Sequence, residues 1–286
     1  MNVLPDELAH AYLDLLEIDV ERGAVDAAAL GRLQIAHVQR VPYETLDIVL
    51  GRPPGIDPVD SARRVISGRG GYCYHLNGAF SALLAWLGVD VTRHLAGVQN
   101  RATAEPIGPN GNHMALTATF PDGSRWLVDA GLGDGPAEPL PLVAGRHDQL
   151  GFCYTLGPSV CGDGIWRFDH DVRGGFFGFD VDLGRAATIA DFQSMHAQLS
   201  SNSHFTRTVT AQRWAGDRIE ILRGCVFTEL TQEESRTTDV TESHDWWSVV
   251  IDRFGLAYRD LGVDERERLW ASVSDGHRAW VAAGRP

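Results

Sequence analysis

Three residues in the first half of the chain have the types and the order of a cysteine catalytic triad. Cys73 follows a pair of glycines, His113 lies forty residues later, and Asp129 lies sixteen residues beyond that. A thiolate nucleophile needs an imidazole to manage its protons, and the imidazole needs a carboxylate to orient it. The three residue types therefore predict chemistry through an acyl thioester on Cys73.

The segment around Cys73 combines a tight turn with the start of a helix. Gly70 and Gly71 permit close backbone approach, and the residues after Cys73 read as helical. The positive end of a helix dipole favours a thiolate in the first turn. The alternative is a glycine turn that carries a cysteine of no chemical importance, and the spacing by itself does not exclude it.

His113 and Asp129 lie on two segments that alternate as strands do. His113 begins the first segment, Asp129 ends the second, and Pro121-Asp122-Gly123 predicts a hairpin turn between them. In an antiparallel pair the start of one strand lies opposite the end of the next, so the two side chains can meet. In the alternative, Asp129 caps the glycine turn that follows it and His113 is a surface residue, which is the better interpretation if Cys73 is ignored.

The elements that must position these residues form a helical front, a β middle and a mixed tail. Apolar periodicity predicts helices, two of them capped by Asp26 and by Asp57-Pro58, over about 5–18, 26–41, 57–66, 80–87, 246–254 and 265–280. Alternation predicts strands over about 89–93, 113–119, 124–129, 165–168, 176–181, 206–214 and 218–222.

Composition excludes several functional classes. The 286 residues carry a net charge of −13, and all 25 basic residues are arginine. Without lysine there is no Schiff base, no P-loop lysine and no kinase-type ATP-binding lysine. No basic run predicts a nucleic-acid groove, and no apolar run is long enough to cross a membrane. The acidic first residues do not resemble a secretory signal, so a cytoplasmic location is expected.

The remaining cysteines predict no further chemistry. None of the four forms a C-x-x-C pair, so neither a metal site nor a thioredoxin-like site is expected. In a reducing compartment Cys153, Cys161 and Cys225 are expected to be buried, small apolar side chains.

Taken together, these motifs resemble the arylamine N-acetyltransferases over about residues 5–230. The segment 69–73 is similar to the nucleophile loop of that family. Pro42-Tyr43-Glu44-Thr45-Leu46 is similar to its Pro-aromatic-Glu-Asn-Leu element, and the segment 128–133 to its Val-Asp-Val-Gly-Phe-Gly turn. Each motif is weak alone, but the combination is specific.

The resemblance implies an α+β fold in three parts around a cysteine-proteinase-like core. The expected parts are an N-terminal helical bundle bearing the nucleophile (1–90), a β-barrel-like domain bearing His and Asp (91–190), and a C-terminal α/β lid with a final helix (191–286). It also implies a ping-pong transfer from acetyl-CoA to a small aromatic amine or hydrazine. No permanently bound cofactor is expected, and a homodimer is left open.

Carried over by position, the resemblance assigns a role to each site residue. Cys73 is the acylated nucleophile, His113 the base and Asp129 its orienting group. Arg69 and Glu44 are expected to form an ion pair that holds the nucleophile loop. The residues expected to line the acceptor pocket are Tyr43, Tyr72, Gly131, Leu132 and Phe205.

The chain departs from the family pattern at four places. His75 replaces the usual Glu or Gln two residues after the cysteine, Thr45 replaces Asn, and Leu132 replaces Phe. The Ser-Thr-x-Pro element usual before Phe205 is missing. These changes leave the triad intact but put the acyl and acceptor pockets in doubt. Because residues 73 and 75 lie on different helix faces, His75 is expected to make a packing or polar contact.

Three other functions remain open. An amide synthase that closes an ansamycin-type macrolactam shares the fold and the triad but takes its acyl group from a carrier-bound polyketide. A cysteine hydrolase or transglutaminase-like enzyme uses the same residues in the same order. A catalytically silent binding protein on this fold is the alternative from a different class.

Overall fold

The computed structural model describes residues 3–285. Its first part is helical, with one very short strand, β1 (Tyr43–Glu44). The helices of this part are α1 (Asp6–Leu16), α2 (Ala27–Arg40), α3 (Leu46–Val49), α4 (Pro58–Ile66) and α5 (Cys73–Trp86).

Local sequence explains where these helices begin and end. The Asp26 carboxylate accepts a hydrogen bond from the backbone N–H of Ala29 and caps α2. Asp57 does the same for α4, where Pro58 occupies the first helical position. Helix α5 is apolar on all sides, and only Ala85 among its residues is not buried, so it is the central helix of the molecule.

An eight-stranded antiparallel sheet follows the helices. Its strands, in the spatial order β5-β4-β3-β2-β9-β8-β7-β6, are β2 (Asp90–Asn100), β3 (His113–Thr119), β4 (Arg125–Val128), β5 (Leu140–Pro141), β6 (Gly145–Gln149), β7 (Phe152–Pro158), β8 (Ile165–Asp169) and β9 (Phe176–Asp182).

This sheet curls until its two edges are close. The edge strands β5 and β6 are consecutive in the chain, and only residues 142–144 separate them. At about 3.8 Å between consecutive Cα atoms, such a linker spans no more than about 15 Å. The Gln149 side chain also donates to the Glu138 carbonyl and accepts from its N–H, both at 3.0 Å. The sheet is therefore nearly closed and barrel-like.

A second antiparallel sheet joins the two ends of the chain. Its strand order is β1-β10-β11-β12-β13, with β10 (Thr210–Ala215), β11 (Arg218–Arg223), β12 (Val226–Leu230) and β13 (Ser235–Asp239). The late helices are α6 (Gln193–Ser201), α7 (Ser243–Ser248) and α8 (Val263–Ala282). A separate hydrophobic cluster packs Leu46 of α3 with Trp246 and Tyr258 from the late segments.

Most predicted elements are present, with some corrected bounds. The strand expected from residue 206 begins at Thr210, because residues 204–206 form a 3-10 turn. The helix expected over 246–254 is α7 followed by a π-helical segment. Because β1 pairs with β10, the first ninety residues contribute a strand to the last sheet. The division into three domains stays a prediction, and its residues 1, 2 and 286 lie outside the described part.

Candidate active site

Cys73 is the first residue of the central helix and is almost enclosed. Its side chain is buried, with 5% exposure, and its Sγ lies 3.9 Å from the Asn112 carbonyl oxygen. The helix therefore places the sulfur at its N-terminal end, where the backbone N–H groups have no intrahelical partners. The partial positive charge there stabilises a negative charge on sulfur.

The histidine and the aspartate meet as the hairpin predicts. Strands β3 and β4 pair antiparallel with Leu116 opposite Val128, which brings His113 to the side of Asp129. The Nε2 of His113 lies 2.6 Å from Oδ2 of Asp129, and both side chains are buried. Since Nε2 is committed to the carboxylate, Nδ1 is the nitrogen left for the sulfur of Cys73.

His113 holds a proton although it is buried. Desolvation opposes a charge on the ring, but the Asp129 carboxylate and the contact with Cys73 outweigh it and raise the pKa of His113 to about 10. The ring therefore holds its proton at neutral pH, where it can stabilise a negative charge that develops on the sulfur of Cys73. The surface-residue interpretation of His113 is wrong.

Asn77 is a site residue that the sequence analysis missed. It lies one turn after Cys73, on the same helix face, and its Nδ2 donates to Asp129 Oδ1 at 2.8 Å. Its Oδ1 accepts the N–H of Ala130 at 2.8 Å. The Asp129 carboxylate thus accepts three hydrogen bonds, from Asn77 Nδ2, from His113 Nε2 and from the backbone N–H of Gly131 at 2.9 Å. Its side chain therefore has little freedom to rotate. The i,i+4 spacing from Cys73 is the signal that could have identified Asn77.

His75 contacts backbone groups and has no carboxylate partner among the hydrogen bonds of the described residues. Its Nδ1 accepts the N–H of Tyr72 at 3.3 Å, and its Nε2 faces the Pro54 carbonyl at 3.3 Å. Burial, assisted by the nearby Arg64 guanidinium, lowers the pKa of His75 to about 3. The third residue of a helix often caps it in this way with Glu or Gln, so His75 substitutes for the family residue as a cap.

Glu44 pairs with Arg64, so the predicted direct pair of Glu44 and Arg69 is wrong. Arg64 Nη2 lies 2.6 Å from Glu44 Oε1, and Arg64 Nη1 lies 2.6 Å from Asp47 Oδ2. Arg64 is on α4, and its Nε also donates to the Gly70 carbonyl at 2.7 Å. The spacing in the sequence does not reveal whether Arg64, on α4, or Arg69, in the loop that follows, reaches the buried carboxylate of Glu44.

Arg69 binds elsewhere in the same network. Its Nη1 lies 3.5 Å from Asp47 Oδ2, and its Nη2 contacts Asp260. Its guanidinium also lies over the Tyr258 ring, with Cζ 3.5 Å from the ring centroid. Arg69 thus fastens the nucleophile loop to the segment that precedes α8.

The five predicted pocket residues have different surroundings. Tyr43 forms a parallel bridge with Gly71 and is half-buried, beside the nucleophile loop. Tyr72 is fully buried, contacts His196 through its hydroxyl and meets the half-buried Phe205 edge to face at 5.6 Å. Because Tyr72 has no exposed surface, its side chain packs in the core beside the nucleophile loop and does not line an open pocket.

Gly131 and Leu132 follow Asp129 directly. A Cβ on Gly131 would lie 2.8 Å from the Cα of Cys73, so only glycine allows the Asp129 turn to pack against the nucleophile. Leu132 is buried and borders a narrow cleft beside Asp129, together with Phe168 and Phe179. Leu132 therefore lies near Asp129, at the cleft that both residues line.

The cysteines other than Cys73 form no disulfide and no metal centre among the residues that the structure describes. All four cysteines are free; Cys225 is buried, but Cys153 is half-buried and Cys161 is exposed, so the expectation of burial is wrong for the last two. Within residues 3–285 no cluster of three or more His, Cys, Asp and Glu could hold a metal ion, and no helix is suited to crossing a membrane.

Comparison with known proteins gives one consistent family. The model of the N-acetyltransferase family matches residues 26–261. An arylamine N-acetyltransferase of Mycobacterium tuberculosis is 37% identical over 279 residues, which cover 93% of this chain and 94% of that protein. The structure of the Mycobacterium marinum arylamine N-acetyltransferase in complex with CoA superimposes with a TM-score of 0.83 at 25% identity, covering 93% of this chain and 98% of that one.

A second kind of relative also matches. The proansamycin X synthase of Amycolatopsis mediterranei is 34% identical over 172 residues, which cover 58% of this chain and 64% of that protein. The matched part therefore spans less than two thirds of that relative.

Proposed function

Because the chain belongs to the arylamine N-acetyltransferase family and is an acetyltransferase, we propose that it carries the acetyl group as a thioester on Cys73. The donor is acetyl-CoA, and the acceptor is the nitrogen of a small aromatic amine or hydrazine. The observation that supports this most directly is that buried His113 contacts both the Asp129 carboxylate, at 2.6 Å, and the side chain of Cys73.

In the first half-reaction the sulfur of Cys73 attacks the acetyl carbonyl carbon of the donor. The bond from that carbon to the CoA sulfur breaks as the bond to Cys73 forms. The CoA sulfur leaves with the electron pair and takes the proton from His113, so CoA departs as a neutral thiol. One thioester replaces another, and the step is close to isoenergetic.

In the second half-reaction the amine nitrogen attacks the acetyl-enzyme. His113 is now neutral and takes the proton that the nitrogen loses, while the bond between carbon and the Cys73 sulfur breaks. The products are the amide and the regenerated enzyme, with the electron pair of the broken bond on the Cys73 sulfur and the proton on His113. Asp129 keeps the ring in one tautomer throughout, and Asn77 keeps Asp129 in place.

Intact-mass analysis after brief incubation with acetyl-CoA tests the proposal. We expect a gain of one acetyl group that maps to Cys73 and is discharged by an arylamine. Cys73→Ser should show no such adduct. Rapid loss of the adduct to acetate without an amine would indicate a hydrolase, and no adduct from acetyl-CoA would indicate either a binding protein or an enzyme with a different acyl donor.

The similarity to proansamycin X synthase supports a second candidate function. That relative shares 34% identity over 172 residues, and this chain departs from the family at Leu132 and before Phe205. An amide synthase would take its acyl group from a thioester on a carrier protein. Acylation of Cys73 by a pantetheine-linked long acyl chain, with none from acetyl-CoA, would favour that function.

A further inference from the structure

A tyrosine near the C-terminal end reaches the residues that hold the nucleophile loop. Tyr258 lies 185 residues after Cys73 and is fully buried. Its hydroxyl donates a hydrogen bond to Glu44 Oε2 at 3.0 Å. Burial, reinforced by the charges of Glu44 and Asp47, raises the pKa of Tyr258 well above its ordinary value, so the phenol remains a donor at any physiological pH.

Both carboxylate oxygens of Glu44 are held by hydrogen bonds. Its Oε1 binds Arg64, and its Oε2 accepts the N–H of Leu46 at 2.6 Å in addition to the Tyr258 hydroxyl. The side chain is 1% exposed, so no solvent competes for these bonds. If Tyr258 lost its hydroxyl, Oε2 would keep only the Leu46 N–H, and the carboxylate could rotate.

The same residues hold the two carbonyls of the turn that precedes Cys73. Arg64 Nε donates to the Gly70 carbonyl at 2.7 Å, and the backbone N–H of Glu44 donates to the Gly71 carbonyl at 2.9 Å. A shift of Glu44 therefore disturbs both hydrogen bonds that hold the loop, the one to the Gly70 carbonyl and the one to the Gly71 carbonyl. Tyr258 is connected to Cys73 through two successive hydrogen bonds and the short turn.

We propose that Tyr258 is a positioning residue that couples the C-terminal segment to the nucleophile loop and keeps Cys73 aligned with His113. This inference rests on the proposed function, because alignment matters only if the sulfur reacts. Tyr258 acts through Glu44 and touches no reacting atom.

The backbone of Tyr258 indicates that its placement is held by several contacts. Its φ is +42°, in the left-handed region that a bulky residue rarely adopts. Arg69 lies over the ring, and Arg266 Nη2 donates to the Tyr258 carbonyl at 3.0 Å. Together with the hydrogen bond to Glu44, these contacts maintain a conformation that the residue would not adopt alone.

The test compares Tyr258→Phe with a matched control, Tyr154→Phe. Tyr154 is also fully buried, and within the described part of the chain its hydroxyl has no hydrogen-bond partner. Both substitutions remove one buried oxygen, but only the first removes a bond to a charged group. We expect Tyr258→Phe to slow iodoacetamide labelling and acetylation of Cys73 about tenfold, in line with the strength of such a bond, and Tyr154→Phe to leave both rates unchanged.

A titration of His113 by NMR separates positioning from general stability. Contact with Cys73 helps to raise the pKa of His113, so a displaced loop should lower it toward its ordinary value in Tyr258→Phe. A loss of thermal stability alone would leave this titration unchanged in the folded protein. Wild-type labelling and titration in Tyr258→Phe would overturn the proposal, even if the melting temperature fell.

A second variant keeps the test decisive if Tyr258→Phe does not fold. Asp260 lies two residues on, is half exposed, and holds Arg69 over the Tyr258 ring. Asp260→Asn should fold and should slow Cys73 labelling in the same direction by a smaller factor; wild-type rates would count against the coupling. If wild-type Cys73 itself cannot be acetylated, the proposed function fails, and that result is distinct from a failure of the coupling.

Discussion

Two buried histidines lie close to Cys73 in the site, and their pKa values are shifted in opposite directions. His113 faces Asp129 and has a pKa raised to about 10, whereas His75 faces backbone groups and has a pKa lowered to about 3. Both rings are about 98% or more removed from solvent. The two rings are therefore equally buried, and the groups that each ring contacts determine the direction of its pKa shift.

The difference also explains why one histidine serves chemistry and the other structure. A carboxylate within hydrogen-bond distance more than compensates for the desolvation of an imidazolium, whereas a carbonyl oxygen and an N–H do not. His113, which carries the proton, can exchange it with the sulfur of Cys73. His75, which is neutral, caps the helix and packs against Tyr72 and His196.

The largest expected effect separates the two histidines directly. His113→Gln should slow acetyl-enzyme formation by about 10²–10⁴-fold, because it removes the proton donor and the counter-charge. His75→Gln should retain most of the rate, since glutamine can still cap the helix through the Tyr72 N–H. Single-turnover mass spectrometry measures both. If the two folded variants are equally slow, the assignment of His113 to the triad has to be redrawn.

In the ion-pair network that holds the nucleophile loop, the cost of losing a partner should increase with the burial of the pair. Glu44→Gln should lower the free energy of unfolding by about 3 kcal/mol, because it removes the more deeply buried of the two carboxylate partners that neutralise the half-buried Arg64 and are bound at 2.6 Å. Arg69→Gln, whose partner Asp260 is half exposed, should cost about 1 kcal/mol or less. Urea unfolding measures both. Equal losses would mean that Glu44 and Arg69 share one interaction.

Asn77 tests whether the orientation of Asp129 matters apart from its charge. Asn77→Ala leaves the Ala130 N–H and the Met114 carbonyl without their present partner, at a cost of about 1–3 kcal/mol. We expect the acetylation rate to fall by about tenfold, less than for His113→Gln, because the charge remains. Asn77→Asp provides a control, since it keeps the size but places a like charge beside Asp129. Full activity in the Ala variant would remove Asn77 from the site.

The last expected effect is a pair of opposite slopes in stability against pH. Folded His113 keeps its proton up to about pH 10, while an unfolded histidine loses it near 6.5, so its contribution is complete below pH 6.5 and is lost toward pH 10. Folded His75 stays neutral down to about pH 3, so stability falls as pH drops from 6.5 toward 3.

Melting temperatures between pH 4 and pH 10 check both slopes. His113→Gln should flatten the alkaline side, and His75→Gln should flatten the acid side only in part, because burial also lowers the pKa of His37 to about 3. Wild-type slopes in both variants would show that the charge states assigned to the two rings are wrong.

Much of the local structure could be predicted from the sequence. The caps at Asp26 and Asp57, and the hairpin that carries His113 and Asp129, follow from residue types a few positions apart. Elements without an apolar pattern were missed. Strand β13 is exposed along its whole length, so its sequence resembles a loop. Strand β1 has only two residues and exists because β10 lies beside it.

The order of the triad, the helix start at Cys73 and the strands that bring His113 to Asp129 could all be predicted from residue types, because each depends on neighbours close along the chain. The folded structure was needed to show that Glu44 faces Arg64 and not Arg69, that Tyr258 reaches Glu44, and that the pKa of one histidine is raised while that of the other is lowered. A pKa and an ion pair depend on which groups lie within a few ångströms in space, and those groups come from segments as far as 214 residues apart.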